Sequence, residues 1–236
     1  MNPTNERELK LDINADASPK ISALVSELIE KYRWPVRARI DMINYDRYFD
    51  QLQPSGLFLL HGQDAYIRVR KSVWPQKSRE AEFIAYRKLN EASYGKPAEI
   101  YDNEISVLKT NEIIAELLRD HPEKLCPPSP EAIGVVEHLE SMGLSEIIRL
   151  KCERCIYPIS YSDQPNDQVK IKIDRVTYKA RPNEVFTQVE IDYYSNELFD
   201  MATKIMEVIN VGVRDITGVD SCFSSVSKMS RGIELL

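Results

Sequence analysis

Four cysteines, eight glycines and three histidines in 236 residues leave little material for several kinds of protein. Cys126, Cys152, Cys155 and Cys222 are too few for a disulfide scaffold. The C-x-x-C at Cys152–Cys155 has no second pair and no histidine cluster beside it to complete a zinc site. In the strand-like run "RLKCERCIYPI" alternation puts the two sulfurs on opposite faces, so they read as structural thiols in a reducing compartment. His61, His121 and His138 are scattered and receive no catalytic role. With thirteen prolines beside those glycines, the chain is neither collagen-like nor of low complexity. No apolar run approaches the ~20 residues that cross a bilayer, and the polar N-terminus has no apolar signal core. A net charge of -6 argues against a general nucleic-acid binder. The expectation is a soluble, cytoplasmic protein with no membrane or nucleic-acid partner, folded as one domain over residues 1–236.

What the chain does have is alternation. "NERELKLDI" reads as a strand with Glu6, Glu8 and Lys10 on one face and Leu9, Leu11 and Ile13 on the other. A helix over "ASPKISALVSELIEKY" follows, with Ser18 placed to cap it and Pro19 in its first turn. "PVRARIDMINYDRYFD" reads as two extended runs, and "GLFLLHGQDAYIRVRKSV" as a hairpin bending at residues 61–64. "EAEFIAYRKL" and "AEIYDNEISVL" predict further strands; residues 110–143 turn helical in two segments around Pro127, Pro128 and Pro130. Strands resume over "SEIIRLKCERCIYPI", "DQVKIKIDRVTY" and "EVFTQVEIDYY", and "SNELFDMATKIMEVINVG" predicts a helix. The tail from Ser221 follows no clear period. The predicted class is α+β, dominated by antiparallel strands.

The same-face charges recur from strand to strand. Arg37 with Arg39, Arg68 with Arg70, Asp102 with Glu104, Arg149 with Lys151, Lys170, Lys172 and Asp174, and Gln188, Glu190 and Asp192 each share a face; Arg154 lies opposite Arg149 and Lys151. Apolar residues such as Ile67, Val69, Ile171, Ile173 and Val189 occupy the other faces. Two arrangements fit: an open sheet with a solvated side, or a closed barrel with a polar interior and apolar-striped helices outside. In an interior, arginines and lysines call for a polyanion and carboxylates for divalent cations, so a metal-bound oligophosphate answers both.

The order of motifs resembles the CYTH superfamily, the triphosphate tunnel metalloenzymes. Glu6-Arg7-Glu8-Leu9-Lys10 is similar to its E-x-E-x-K signature, "DRYFD" to its Y-F-D element, "AYIRVRK" to its L-R-I-R-K strand, "VKIKIDRV" to its strand ending in aspartate, and "FTQVEI" to its F-x-E-x-E strand. The resemblance spans most of the chain. It implies a closed tunnel of eight antiparallel strands with a polar lumen and flanking outer helices, binding a triphosphate with Mg²⁺ or Mn²⁺. Carried over, it places metal at Glu6, Glu8 and Glu190, with Glu104 as a further acidic residue and Asp174 near a metal or the attacking water. It places phosphate oxygens at Lys10, Arg68, Arg70, Arg87 or Lys88, Lys151, Arg154 and Lys172, and gives catalytic parts to Lys10 and Asp174; the same-face pair Arg37 and Arg39 joins the phosphate-binding candidates by its charge. Two departures stand out. Gln188 occupies the first glutamate position of F-x-E-x-E, with Asp192 two residues beyond Glu190 on the same face, and Cys152 stands where a lysine precedes Arg154. The tail "SKMSRG" resembles the S-K-[FY]-x-x-G element of polyphosphate polymerases sharing the tunnel.

The activity this implies is metal-dependent hydrolysis of a triphosphate, inorganic tripolyphosphate first. Adenylate cyclase, thiamine triphosphatase and a non-catalytic polyphosphate or nucleotide binder are the alternatives on the same fold. For an organic triphosphate the available aromatic surfaces are Trp34, Tyr45, Tyr66 and Trp74.

Overall fold

Strict two-residue alternation over long stretches dictates a sheet with one apolar and one polar face, and this is what forms. The computed structural model describes residues 7–61, 65–87, 100–102, 106–118, 134–160, 168–224 and 226–236, without the side chains at 83, 85, 87 and 100–102. The strands are β1 (Arg7–Ile13), β2 (Ile40–Asp50), β3 (Tyr66–Trp74), β4 (Arg79–Arg87), β5 (Ile100–Asp102), β6 (Ser145–Ser160), β7 (Gln168–Tyr178), β8 (Arg181–Tyr193) and β9 (Cys222–Phe223). The helices are α1 (Ile21–Tyr32), α2 (Val107–Leu117), α3 (Val135–Ser141), α4 (Phe199–Thr217) and α5 (Lys228–Glu234). All pairings between strands are antiparallel, in the order β5-β4-β3-β2-β6-β7-β8-β1-β9. Eight of these strands match the number and antiparallel order expected from the motifs; the two-residue β9 adds an edge beside β1. Among the described residues no pairing joins β5 to β9.

One face of the sheet is apolar and lies under helices. Leu11, Ile13, Ile171, Ile173, Val189 and Ile191 pack against Ile21, Leu24, Val25 and Leu28 of α1 and Ile205, Met206 and Ile209 of α4. The other half of this face, Phe49, Ile67, Ile84 and Tyr86, packs under Ile113, Ile114 and Leu117 of α2 and Val135 and Leu139 of α3. His138 is spent on this layer: its Nε2 lies 2.6 Å from Asn111 Oδ1, tying α3 to α2. Gly218, with φ at +74°, ends α4 in the left-handed turn that glycine adopts without strain.

The opposite face is polar and equally buried, though α1 to α4 lie elsewhere. Asp46, Arg68, Arg70, Asp174, Glu190 and Asp192 are all buried on it. On this side the charged side chains pack on one another and against α5. The helix α5 is the exception to the outer layer. Its Met229 and Ile233 pack with Tyr48, Ile148, Leu150, Cys152, Val176 and Tyr178, an apolar end of the inner face. Tyr178 donates its hydroxyl to the Lys228 carbonyl at 2.8 Å. Gly232 allows the close approach: a Cβ there would stand 2.8 Å from Ile148 Cδ1 and 3.0 Å from Tyr178 Cε1. Gly232→Ala is therefore expected to lower stability by about 1–3 kcal/mol through overpacking, read as a shifted urea midpoint.

Local expectations differ from the structure at three places. Ser18 does not cap α1; its hydroxyl lies 2.5 Å from Thr187 of β8, and the helix begins at Ile21 without a side-chain cap. The 35–50 stretch is one strand, β2, preceded by an isolated bridge at Val36, rather than two runs of strand. The arm before residues 61–64 is not a strand, and the bend at 62–64 lies outside the described residues. Leu59 and Leu60 lie in a turn, both buried, and Asp50 holds that loop by accepting the backbone N–H groups of Gln51, Leu60 and His61. Cys152 and Cys155 do fall on opposite faces, in the inner and outer clusters. Burial pushes their thiols up to about 12 and about 11, so both are inert. Cys126 lies outside the described residues. No helix among the described residues is long and apolar enough to cross a membrane.

Candidate functional site

Strand register sets opposite charges side by side on the inner face. Lys10 pairs across from Glu190, Glu8 from Asp192, Lys172 from Glu190, Arg154 from Asp174 and Asp46 from Arg70. Such cross-strand neighbours stand about 5 Å apart at Cβ, within reach of these side chains.

Two wards of charge result. On β2 and β3, Asp46 accepts from Arg70 through Nε at 2.6 Å and Nη2 at 2.7 Å, and from Arg68 Nη1 at 3.2 Å. Burial alone would raise the Asp46 pKa, but the two guanidiniums outweigh it and hold the carboxyl at about 2. On β6, β7, β8 and β1, Arg154 grips Asp174 with two hydrogen bonds and reaches Glu190 at 2.9 Å. The Lys228 ammonium enters from α5, 2.8 Å from Asp174 and 2.5 Å from Glu190. Lys10 stands 2.8 Å from Glu8 and 3.8 Å from Glu190. Burial opposes ionisation of Asp174 and Glu190, yet Arg154 and Lys228 keep both ionised, Glu190 well below the usual carboxylate range. The same carboxylates hold Lys228 well above its ordinary value against burial. Lys228 also acts on Asp46, which joins the two wards electrostatically.

Glu8, Glu190 and Asp192 form a third feature. Their carboxylate oxygens lie within 4.8 Å of one another. Apart from its ion pair with Lys172, Asp192 has both oxygens buried and without a hydrogen-bond partner. Two such oxygens beside two further carboxylates are a donor set for a hard divalent cation, so the residues present fit one.

Of the residues expected from sequence, the structure brings together Glu8, Lys10, Arg154, Lys172, Asp174 and Glu190, with Arg68 and Arg70 in the adjoining ward. Asp174 lies in the cluster but outside the carboxylate trio, its oxygens taken by Arg154 and Lys228. Arg39 and Lys151 are not brought there: they stand on the outer side, Arg39 against Asp41 at 2.8 Å and over the Tyr157 ring, Lys151 against Glu153 at 2.6 Å. Alternation accounts for both, since Arg39, just before β2, and Lys151 on β6 occupy odd positions where the even ones face inward. Arg37 is exposed on the segment before β2. Glu6, Lys88 and Glu104 lie outside the described residues, and Arg87 closes β4 opposite Tyr66 with its side chain outside them. Asp46 and Lys228 were missing from the expected set. The first has a signal in register with Arg70, the second in the "SKMSRG" resemblance.

The antiparallel sheet with its outer helices and inward charges is a fold that occurs among solved structures. The PH1819 protein of Pyrococcus horikoshii OT3 shares it, with a TM-score of 0.52 and 18% identity over 97% of this chain and 98% of that one. Lower in similarity are the RNA triphosphatase domain of a mimivirus mRNA capping enzyme (TM-score 0.39, 11% identity, 88% of this chain and 90% of that one) and the Pct1 RNA triphosphatase of S. pombe (0.35, 12%, 92% and 72%). No family model matches the chain, and no curated protein matches it in sequence.

Proposed function

We propose that the protein is a divalent-metal-dependent triphosphatase whose substrate is inorganic tripolyphosphate. The observation that carries this reading is the convergence of Lys10, Arg154, Lys172 and Lys228 with the Glu8–Glu190–Asp192 trio on one buried face. Each cation there leans on a carboxylate. A polyanion arriving with a cation lets both exchange partners without leaving a buried charge alone: the carboxylates turn to metal, the ammonium and guanidinium groups to phosphate oxygens.

Glu8, Glu190 and Asp192 would hold Mg²⁺ or Mn²⁺. Bound there, the ion supplies Lewis-acid neutralisation of phosphate charge and a polarised water. Lys10, beside the trio, is the cation placed to offset charge on the transferring phosphoryl group. Lys172, Arg154 and Lys228 bind further oxygens, and Arg68 and Arg70 extend the cationic surface towards the other end of the chain of phosphates. Asp174, held ionised below its usual range, is a weak base; its part is to orient Arg154 and Lys228.

An inorganic substrate is favoured over an organic triphosphate by where the aromatic rings are. Trp34 stacks on Tyr32 and packs with the outer cluster, and Tyr45 stands exposed on the outer face. Tyr66 packs edge-on against Tyr48 in the apolar end beneath α5, and Trp74 is covered by Arg79. None of these offers a bare ring beside the charges.

Phosphate release is measured from tripolyphosphate and from ATP, with Mg²⁺, with Mn²⁺ and with chelator. Metal-dependent release, strongest on tripolyphosphate, is the expected result. Pyrophosphate formed from ATP without release from tripolyphosphate would replace the reading by a cyclase, and binding without turnover by a polyphosphate-binding module.

A further inference from the structure

Position 188 is where the chain departs from F-x-E-x-E, and its amide has an occupation of its own. Gln188 Nε2 donates to Asp12 Oδ1 at 2.8 Å, across the β1–β8 pairing that sets the two residues opposite each other. The second oxygen of Asp12 accepts from Arg231 Nη2 of α5 at 2.6 Å, and the Arg231 guanidinium lies over the Phe186 ring. Gln188 Oε1 is buried without a partner, so the amide is oriented by what its nitrogen does. Turned the other way, its oxygen would face a carboxylate. A glutamate here would do the same permanently, at a side chain only 2 % exposed.

We infer that Asp12, Gln188 and Arg231 form a strap that docks α5 across the inner face and so positions the Lys228 ammonium at Asp174 and Glu190. The strap ties α5 to the paired strands β1 and β8. Arg231 is one helical turn from Lys228, so fixing the first fixes the height at which the second enters the charge cluster. Hydrogen bonds from Arg231, Ser224 and Gln188 overcome burial and keep Asp12 below its ordinary pKa, an anion for the guanidinium to hold. Gln188 is thus a positioning residue for the C-terminal helix, and the carboxylate that F-x-E-x-E would place there is supplied to the trio by Asp192 instead. The inference rests on the proposed triphosphatase only for what Lys228 serves; the docking of α5 stands apart from it.

The test uses the full chain and reads amide hydrogen exchange over residues 228–234 together with tripolyphosphate kinetics. In Gln188→Glu, exchange in α5 is expected to quicken and KM for tripolyphosphate to rise roughly tenfold, the loss of one charge-assisted contact, with a smaller change in kcat. Asp12→Asn added to Gln188→Glu restores a donor facing an acceptor, with the carbonyl of the new amide left for Arg231, and is expected to return both readouts to within about twofold of the parent. Arg231→Gln, which alters no inner-face carboxylate, should reproduce the KM rise, and should add little to Lys228→Ala. Unchanged exchange in both Gln188→Glu and Arg231→Gln would overturn the strap, as would tighter Mn²⁺ binding by Gln188→Glu with α5 still protected. If the parent neither binds nor cleaves tripolyphosphate while exchange responds as described, the strap holds and the proposed function falls.

Discussion

Glu190→Gln is expected to reduce metal-dependent release from tripolyphosphate by at least about a hundredfold, and to destabilise the protein as well. The two effects have one origin. Glu190 is the carboxylate shared by every part of the cluster: Arg154, Lys228 and Lys10 all lean on it, and it belongs to the trio with Glu8 and Asp192. Glutamine keeps its volume and removes its charge, leaving three neighbouring cations to divide Asp174 and Glu8 among them. Truncating one partner of a buried ion network costs about 3–5 kcal/mol because the remaining charges stay desolvated. The distinguishing feature is how that loss is repaired. A polyanion brings negative charge back to the same cations, so millimolar tripolyphosphate should raise the urea midpoint of Glu190→Gln more than that of the parent protein, whose carboxylates compete for the same groups. Glu8→Gln separates the terms: Glu8 is more accessible and pairs only with Lys10 among the described contacts, so activity should fall with little change in stability. Full turnover in Glu190→Gln would remove the carboxylate trio from the chemistry. An unchanged midpoint would mean that the cations are solvated rather than buried.

The legibility of this molecule in its sequence followed period and face. Alternation placed Lys172, Asp174 and Glu190 on one side of β7 and β8 and Ile171, Ile173 and Val189 on the other, and the helices α1 and α4 bear the stripes that cover the apolar side. Register was not legible at the same level. Asp46 lies in a motif noticed for other reasons, and only the pairing of β2 with β3 reveals it as the anion of Arg68 and Arg70. Arg39 and Lys151 show the converse: Arg39 enters from its same-face pairing with Arg37 and Lys151 from motif resemblance, while their odd positions point both outward. The tail hid the most. A seven-residue helix carries too few turns for a convincing stripe, and α5 packs on the inner face of the sheet, where its mixture of Met229, Lys228 and Arg231 suits a boundary between an apolar end and a charged one.

Asp46→Asn carries the second large effect, with a pH signature of its own. Asp46 is fully buried and is the carboxylate holding both Arg68 and Arg70. Its replacement leaves two guanidiniums desolvated, and about 3–5 kcal/mol of stability is expected to be lost at neutral pH. The folded carboxyl sits at about 2, against an ordinary value of 3.8. A group whose pKa is depressed on folding binds its proton more readily in the unfolded chain, so its stabilisation is complete above the unfolded value. It is lost as pH falls through the folded one. The difference of almost two pH units is worth roughly 2 kcal/mol, present at pH 5 and above and eroded between about pH 4 and pH 2. Urea midpoints of the parent and of Asp46→Asn should therefore stay apart by a constant amount from pH 7 to pH 5 and converge by about 2 kcal/mol below that, because the variant has no proton to take up at this position. A gap that persists undiminished to pH 2 would show that the carboxyl never titrates with folding. Parallel curves with no gap at all would show that the arginines do not need it. Since Arg68 and Arg70 lie beside the Lys228 cluster, phosphate or tripolyphosphate should also narrow the neutral-pH gap, the anion standing in for the carboxylate that was removed.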